Sequence, residues 1–320
     1  MKRYKLPYLL ILLIIVLALA GCGQQENKPG GEQGERIPDL VSTQPQSSVV
    51  AFFKTPDCEL LTPISFGINS SRDTIWIALE KLLAGPPDGF VEGVIPAGIK
   101  IKELYFAGGQ VHIGLTGDEP LALADVNLLA IWATVNKELL EQDNTTAALR
   151  LYYNDEPLLA EPYTAEAVND FGGGAAGARV YFSDPQAMYL VPLALPVFAA
   201  DYASDGEYLA AVMTAWAGAP PEGSGVFSPL PEGAELLDCR LEGDLLLLDF
   251  GPGLQNIASS SEGRLLLNSL LSTLARFPQV NQVQLLCGGE ALAESLPGGT
   301  DFSQPLPVAH DLDMINRLVQ

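Results

Sequence analysis

Residues 49 to about 290 carry the same pattern twice, and a chain written that way must fold as two like units. The turn Ala217-Gly218-Ala219-Pro220-Pro221-Glu222-Gly223 echoes Ala84-Gly85-Pro86-Pro87-Asp88-Gly89. Leu230-Pro231-Glu232-Gly233 follows Ile95-Pro96-Ala97-Gly98 at an offset of 135, and Gly289-Glu290-Ala291-Leu292 follows Asp155-Glu156-Pro157-Leu158 at 134. Nearer the start the offset is 129. There Val180-Tyr181-Phe182 lies on Ala51-Phe52-Phe53, and Tyr189-Leu190-Val191-Pro192 lies on Leu60-Leu61-Thr62-Pro63. A period this long exceeds the roughly 20–50 residues of a solenoid unit. It describes two tandem globular domains.

Each copy reads as strands plus two helices. In repeat one (49–160), strands are expected at Val49–Phe53 and around Leu60–Ile64. A helix follows, with apolar Ile75, Leu79, Leu82 and Leu83 on one face, Asp73 as its cap and Gly85 with Pro86 and Pro87 as its stop. Ile99–Phe106 and Gln110–Leu115 form a hairpin across Gly108-Gly109, and Val111, Ile113 and Leu115 alternate with Gln110, His112 and Gly114. A second helix over Ala124–Gln142 and a strand at Ala148–Tyr153 complete the unit. Repeat two (179–295) opens with a strand at Arg179–Ser183. Leu209, Val212, Met213 and Trp216 then share a helix face that Gly218 terminates, and at this spacing they are core rather than a binding stripe. A hairpin crosses Glu242-Gly243-Asp244, and Ser259 to Glu262 has capping-box spacing. Leu267, Leu270, Leu271, Leu274 and Phe277 line the next helix until Pro278, and Val283–Cys287 is the closing strand. The fold class is therefore α+β: two tandem copies of a small sheet-plus-two-helix domain. Residues 161–178 read as a Gly-rich linker, and 296–320 as a tail with one short helix at Asp311–Val319, docked on repeat two or loose.

The first 22 residues stand apart. Lys2, Arg3 and Lys5 precede an apolar run from Leu9 to Leu19, a signal-peptide pattern too short to span a bilayer comfortably. The run ends in Leu19-Ala20-Gly21-Cys22, which resembles a bacterial lipobox in residues and placement. That resemblance implies cleavage between Gly21 and Cys22 and lipid attachment at Cys22, leaving the mature protein on the extracytoplasmic face of the cell membrane. Residues 23–48, rich in Gly, Gln, Glu, Pro and Ser, read as a flexible tether. The balance of 17 Lys and Arg against 39 Asp and Glu gives a formal charge of −22. Such a chain does not suit nucleic acid or anionic lipid as electrostatic partners, so the acyl chains must supply the membrane attachment. Of the remaining thiols, Cys239 and Cys287 either bridge or stay free as small hydrophobes, and the odd third, Cys58, is left over.

The order strand, helix, Pro-rich turn, Leu-Pro-x-Gly, hairpin, helix, strand resembles the GerMN domain family. The carriers are Gly218-Ala219-Pro220, Leu230-Pro231-Glu232-Gly233, Leu248-Asp249-Phe250, Thr273-Leu274-Ala275-Arg276-Phe277-Pro278 and Val283-Gln284-Leu285. The resemblance implies fold-defining roles for Gly218, Pro220, Pro231, Gly233, Asp249, Phe277 and Pro278. It also implies a domain similar to the ring-building motif and a non-enzymatic envelope protein of sporulation and spore germination. Such a protein would scaffold a ring complex between mother cell and forespore through contacts with other envelope proteins or its own copies. Repeat one departs from the pattern: Gly114 stands where Asp249 stands, and Ala133-Thr134-Val135 replaces the Thr-Leu-x-x-Phe-Pro ending.

Chemistry leaves little trace in the sequence. Gly172 to Gly177 satisfies G-x-G-x-x-G, but a dinucleotide loop follows a strand and opens a helix, whereas here a strand comes next. The two histidines, His112 and His310, belong to no cluster with zinc spacing, and Asp311 with Asp313 lacks the glycine turn and distal Glu of a calcium loop. Asp238, Asp244 and Asp249 flank one hairpin, where turn and edge roles are expected. No catalytic residue, cofactor or metal site is expected. Two other functions remain to be weighed against the scaffold: a lipoprotein binding a ligand or glycan in the cleft between repeats, and a peptidoglycan hydrolase.

Overall fold

The computed structural model describes residues 47–56, 59–68, 73–86, 89, 91–143, 147–292 and 302–310. Gly21, Cys22, residues 23–46 of the expected tether, Cys58 and the expected helix at 311–319 lie outside them, while Ser47 and Ser48, expected in the tether, belong to the first strand. Residues from Gln44 onward form one compact unit.

Within it the same topology occurs twice. Repeat one comprises β1 (Ser47–Lys54), β2 (Leu61–Ile68), α1 (Thr74–Ala84), β3 (Lys100–Ala107), β4 (Gln110–Thr116), α2 (Asp125–Asp143), β5 (Ala148–Tyr153) and β6 (Glu156–Pro157). Repeat two comprises β7 (Gly177–Ser183), β8 (Leu190–Phe198), α3 (Asp205–Ala217), β9 (Leu236–Glu242), β10 (Leu245–Phe250), α4 (Ser260–Leu274), β11 (Gln282–Cys287) and β12 (Glu290–Ala291). In each, a two-stranded antiparallel ribbon packs with two helices beside a sheet ordered β3-β4-β5-β6 or β9-β10-β11-β12. The central pair is parallel in both, β4 with β5 and β10 with β11, because a helix makes the crossover between them.

The turns repeat as backbone chemistry even where the letters differ. Gly108-Gly109 joins β3 to β4 with φ of 59° and 75°, both in the left-handed region a tight hairpin turn needs. After β5, Asn154-Asp155 has φ of 50° and 71°, and after β11, Gly288-Gly289 has 64° and 85°. Asn and Asp are the side chains that tolerate this region best, so different residues give one geometry.

A polar contact repeats as well. The amide of Phe52 in β1 donates to Thr134 Oγ1 of α2 at 3.2 Å, and the amide of Tyr181 in β7 donates to Thr273 Oγ1 of α4 at 3.2 Å. Phe52 faces Pro63 and Tyr181 faces Pro192 across their ribbons. Pro has no N–H, which suits the edge of a sheet. In repeat two Ser269 Oγ also donates to the Tyr181 carbonyl at 2.6 Å and accepts from Trp216 Nε1 at 2.8 Å.

That seam corrects the expected face of α4. Leu266, Ser269, Leu270, Thr273 and Leu274 are buried, while Leu267 and Leu271 are only half-buried. The helix turns its two hydroxyls inward because they satisfy backbone groups of β7. A second correction concerns Asp73, which sits at φ 55° and makes no side-chain cap. In repeat two the caps are present: Ser204 accepts from the Glu207 amide and Ser259 from the Glu262 amide, at 3.3 and 3.2 Å. The two glutamates reach back to the amides of Ala203 and Ala258, each at 3.0 Å. The expected face of α3 holds, since Leu209, Val212, Met213 and Trp216 are all fully buried, while on α1 Ile75, Leu79 and Leu82 are buried and Leu83 is half-buried.

Residues 161–178 do more than link. Tyr163 pairs with Leu149 of β5 through two 2.8 Å backbone bonds. The tail supplies the counterpart in repeat two, where β13 (Leu306–Pro307) pairs with β11 at Val283 and Gln282. Phe302 and Val308 are buried there, and Gln284 Nε2 donates to the Phe302 carbonyl at 2.7 Å, so residues 302–310 of the tail dock on repeat two. The G-x-G-x-x-G spacing serves packing of backbone on backbone. A Cβ on Gly173 would stand 2.5 Å from the Leu195 carbonyl oxygen, and one on Gly177 would stand 2.3 Å from the Gly173 Cα.

Candidate functional site

The joint between the repeats is built by exchange. Leu60 leaves repeat one to pack against the core of repeat two, and its counterpart Tyr189 is buried in the core of repeat one. Thr62 Oγ1 donates to the Leu190 carbonyl across the joint at 2.8 Å. Asn169, which no motif or spacing singles out, fastens the two together. Its Oδ1 accepts from the Leu61 amide at 2.9 Å, and its Nδ2 donates to the carbonyls of Leu61 at 2.7 Å and Pro192 at 2.8 Å. Its φ of 50° belongs to the left-handed region, where a short polar side chain is tolerated. One amide thus satisfies strand β2 of one repeat and β8 of the other.

Beside the joint lies a cleft of about 570 Å³, lined by Glu59, Asp125, Leu129, Tyr163, Glu166 and Asp170 among others. Burial pushes the Tyr163 phenol up to about 12, and the carboxylate of Asp125 adds to the shift. Asp170 is committed to the linker, where its Oδ1 accepts from the amides of Gly172 and Gly174 at 2.9 and 2.8 Å.

The outward faces of the two sheets differ. In repeat one, His112 lies between Tyr105 and Tyr152, with ring centroids 4.6 and 6.0 Å apart and near-parallel planes. Desolvation raises the Tyr105 phenol, with Tyr152 and Glu103 adding to it. Phe106, 58% exposed, ends the same strand. Repeat two presents instead the pair Asp238–Arg240 at 2.7 Å and an exposed Leu237, while its tail covers the β11 side. Both edge strands, β3 and β9, carry register shifts in their ladders, and charged residues accompany them. These features blunt an edge against strand addition. The faces are therefore the surfaces left for contact.

No reactive constellation is assembled among the described residues. Asp244 Oδ2 accepts from Asn281 Nδ2 at 3.0 Å, Asp249 Oδ1 accepts from the Gly289 amide at 2.9 Å, and Asp238 is held by Arg240. No group of three His, Cys, Asp or Glu residues there can hold a metal ion, and no helix is long and apolar enough to cross a membrane. Cys239 and Cys287 are free thiols. Burial pushes the Cys239 thiol up to about 12, with Asp238 adding to the shift, so it is no nucleophile near neutrality.

The positions named from the resemblance fall as follows. The Gly218 amide closes α3 on the Thr214 carbonyl at 2.9 Å, and a Cβ there would press on the same oxygen at 3.2 Å. Pro220, half-buried, follows in the turn after it. The Pro231 carbonyl accepts from the Ala234 amide, and Gly233, at φ 80°, presses against Gly253. Phe277 is buried beside Tyr208, with ring centroids 5.7 Å apart, and Pro278 is exposed after it.

Residues 179–293 match the family model Germane, described as sporulation and spore germination. The match covers the second repeat. The paired architecture is similar to the tandem GerMN domains of the sporulation protein GerM from Bacillus subtilis. That likeness has 16% identity and a TM-score of 0.52, and covers 85% of this chain and 99% of that one. The first GerMN domain of the same protein, solved alone, aligns at 23% identity and TM-score 0.30 over 42% of this chain and 94% of that chain. A lipoprotein from Clostridium perfringens, described as putative, aligns at 22% and 0.28 over 32% and 66%. Among curated proteins no sequence matches. At 16% identity the likeness to the tandem structure shows the fold alone.

Proposed function

We propose that this chain is a lipid-anchored, non-enzymatic lipoprotein of the sporulation and germination envelope. It is held by acyl chains on Cys22 at the extracytoplasmic face and acts as a scaffold for a ring complex between mother cell and forespore. The observation that carries this is the exchanged joint. Two Germane-type folds are locked as one body by Leu60, Tyr189 and Asn169, yet they present different outward faces. A rigid pair with unlike faces suits repeated protein contacts better than catalysis, and no assembled reactive group competes with that role among the described residues.

Crosslinking and pull-down from sporulating cells should recover envelope proteins or further copies of this chain, and disruption of its gene should impair spore formation. Normal sporulation and germination without it would defeat the proposal. Cys22→Ser should move the protein out of the membrane fraction, and retention there would remove the lipid from the account. A ligand-binding lipoprotein is the second reading, favoured by the cleft at the joint. It calls for a ligand whose affinity falls on changing Tyr163 to Phe, with the joint itself intact.

A further inference from the structure

The cleft beside the joint has a chemistry of its own. Three stretches of chain enclose its volume of about 570 Å³: residues 59–61 leading into β2, the first turns of α2, and the segment 163–171 between the repeats. Small-molecule sites occupy roughly 300–1,000 Å³ and favour the joints between domains. Leu61, Ala167 and Asn169 are buried at its base, and the polar atoms of Asn169 are spent on the backbone of β2 and β8. Leu60, Val126, Leu129, Tyr163 and Phe171, all half-buried, make its walls. Glu59, Asp125, Glu166 and Asp170, all exposed, stand at its rim, and among the described residues no Lys, Arg or His lines it.

The rim carboxylates are spread out, and no three of them can hold a metal ion. Three are offset locally. Glu59 faces Lys54 Nζ at 3.1 Å, Asp125 sits in the first turn of α2, where the helix dipole favours negative charge, and Asp170 accepts from two glycine amides. Glu166 meets no cation among the described residues. Their setting decides what they select. A cleft of one charge sign with apolar walls focuses the field inside it and concentrates ions of the opposite sign. Apolar walls below a negative rim match a ligand built the same way, with an apolar body and a cationic head. Aromatic residues such as Tyr163 and Phe171 suit both parts, by apolar contact or by the attraction of a ring face for a cation.

We infer that this cleft binds an organic cation, an ammonium or guanidinium on an apolar stem, with Glu166 as its main counter-ion and Leu60, Leu129 and Phe171 against the stem. The inference rests on the ligand-binding reading of the cleft and does not depend on the scaffold role. Two sources share the chemistry: a free amine, and a Lys or Arg side chain of a partner protein.

The test uses the full chain in non-ionic detergent at constant ionic strength, with empty micelles as the blank. Calorimetry measures binding of phenethylammonium, of neutral 2-phenylethanol and of the capped dipeptide acetyl-Phe-Lys-amide. The inference expects saturable binding of phenethylammonium, about tenfold or more tighter than of the alcohol, because one charge-assisted bond separates the two. Glu166→Gln, at an exposed site and expected to fold, should lose that preference. Ala165→Trp fills the cleft and should abolish binding, with circular dichroism confirming that each variant is folded. Tighter binding of the dipeptide assigns the site to a partner's side chain, and tighter binding of phenethylammonium assigns it to a free amine. Equal affinity for ammonium and alcohol, or a preference that survives Glu166→Gln, overturns the cation while leaving the cleft a ligand site. No saturable binding of any probe, or unchanged binding in folded Ala165→Trp, overturns the cleft as well.

Discussion

Asn169→Ala should uncouple the two repeats. The side chain is only 6% exposed, and its loss strands three backbone groups where water does not reach: the Leu61 amide and the carbonyls of Leu61 and Pro192. Each stranded group costs about 1 kcal/mol at the low end of the usual range. Alanine at a φ of 50° adds about 1 kcal/mol of backbone strain, for a total of about 4 kcal/mol. Asn169→Gly loses the same bonds without the strain, so it should cost about 1 kcal/mol less.

Urea denaturation distinguishes the joint from the cores. The chain has three tryptophans: Trp76 and Trp132 in repeat one, and Trp216, fully buried, in repeat two. With Trp76 and Trp132 replaced by Phe, fluorescence follows repeat two while circular dichroism follows both. The parent should give coincident transitions. In N169A the two should separate, because β2 and β8 lose the three bonds they share through the Asn169 side chain. A loss under about 1 kcal/mol with the transitions still coincident would mean that the apolar exchange of Leu60 and Tyr189, with the Thr62–Leu190 bond, holds the joint without Asn169.

Other substitutions test the duplication and the turns. Thr134→Val and Thr273→Val each strand one strand amide and should each cost about 1–3 kcal/mol by urea denaturation. A neutral result in one of them would break the equivalence of α2 and α4. Gly253→Ala would place a Cβ 2.0 Å from the Gly233 carbonyl carbon, and should destabilise repeat two by at least about 3 kcal/mol or prevent its folding. Cys239 should resist iodoacetamide at pH 8, reacting about a hundredfold or more slower than an unperturbed thiol, as mass spectrometry would show. Because its folded-state value is raised, the unfolded chain ionises first. Stability linked to Cys239 is therefore intact below about pH 9 and declines as the pH rises toward about 12.

The parts legible in the sequence are those set by neighbours along the chain. Leu209, Val212, Met213 and Trp216 reveal their helix by spacing, and Gly108-Gly109 reveals its turn by backbone freedom. Asn169 was invisible because its partner Leu61 is 108 residues away and its own surroundings are glycine-rich. The inward turn of Ser269 and Thr273 is hidden for a related reason: apolar periodicity favours Leu267 and Leu271, whereas the deciding contact is the backbone of β7. One signal was available. Pro63 and Pro192 recur at equivalent places, and a proline in a ribbon announces an edge whose backbone must be satisfied from elsewhere. Ser204 to Glu207 likewise had the same cap spacing already recognised at Ser259 to Glu262.

Duplication with divergence also bears on how such a body could assemble. Two like folds with like faces would favour symmetric pairing of the same patch, which closes on itself as a dimer. Here the aromatic column of Tyr105, His112 and Tyr152 has no counterpart, since Arg240, Leu247 and Leu286 occupy the matching places. Contacts between unlike faces are heterologous, and heterologous contacts propagate into rings or filaments. On the proposed scaffold role, breaking the column with Tyr105→Ala should therefore shorten crosslinked assemblies without lowering the protein's stability by more than about 1 kcal/mol, because the residue is 42% exposed. Assemblies of unchanged length would place the contact on another face.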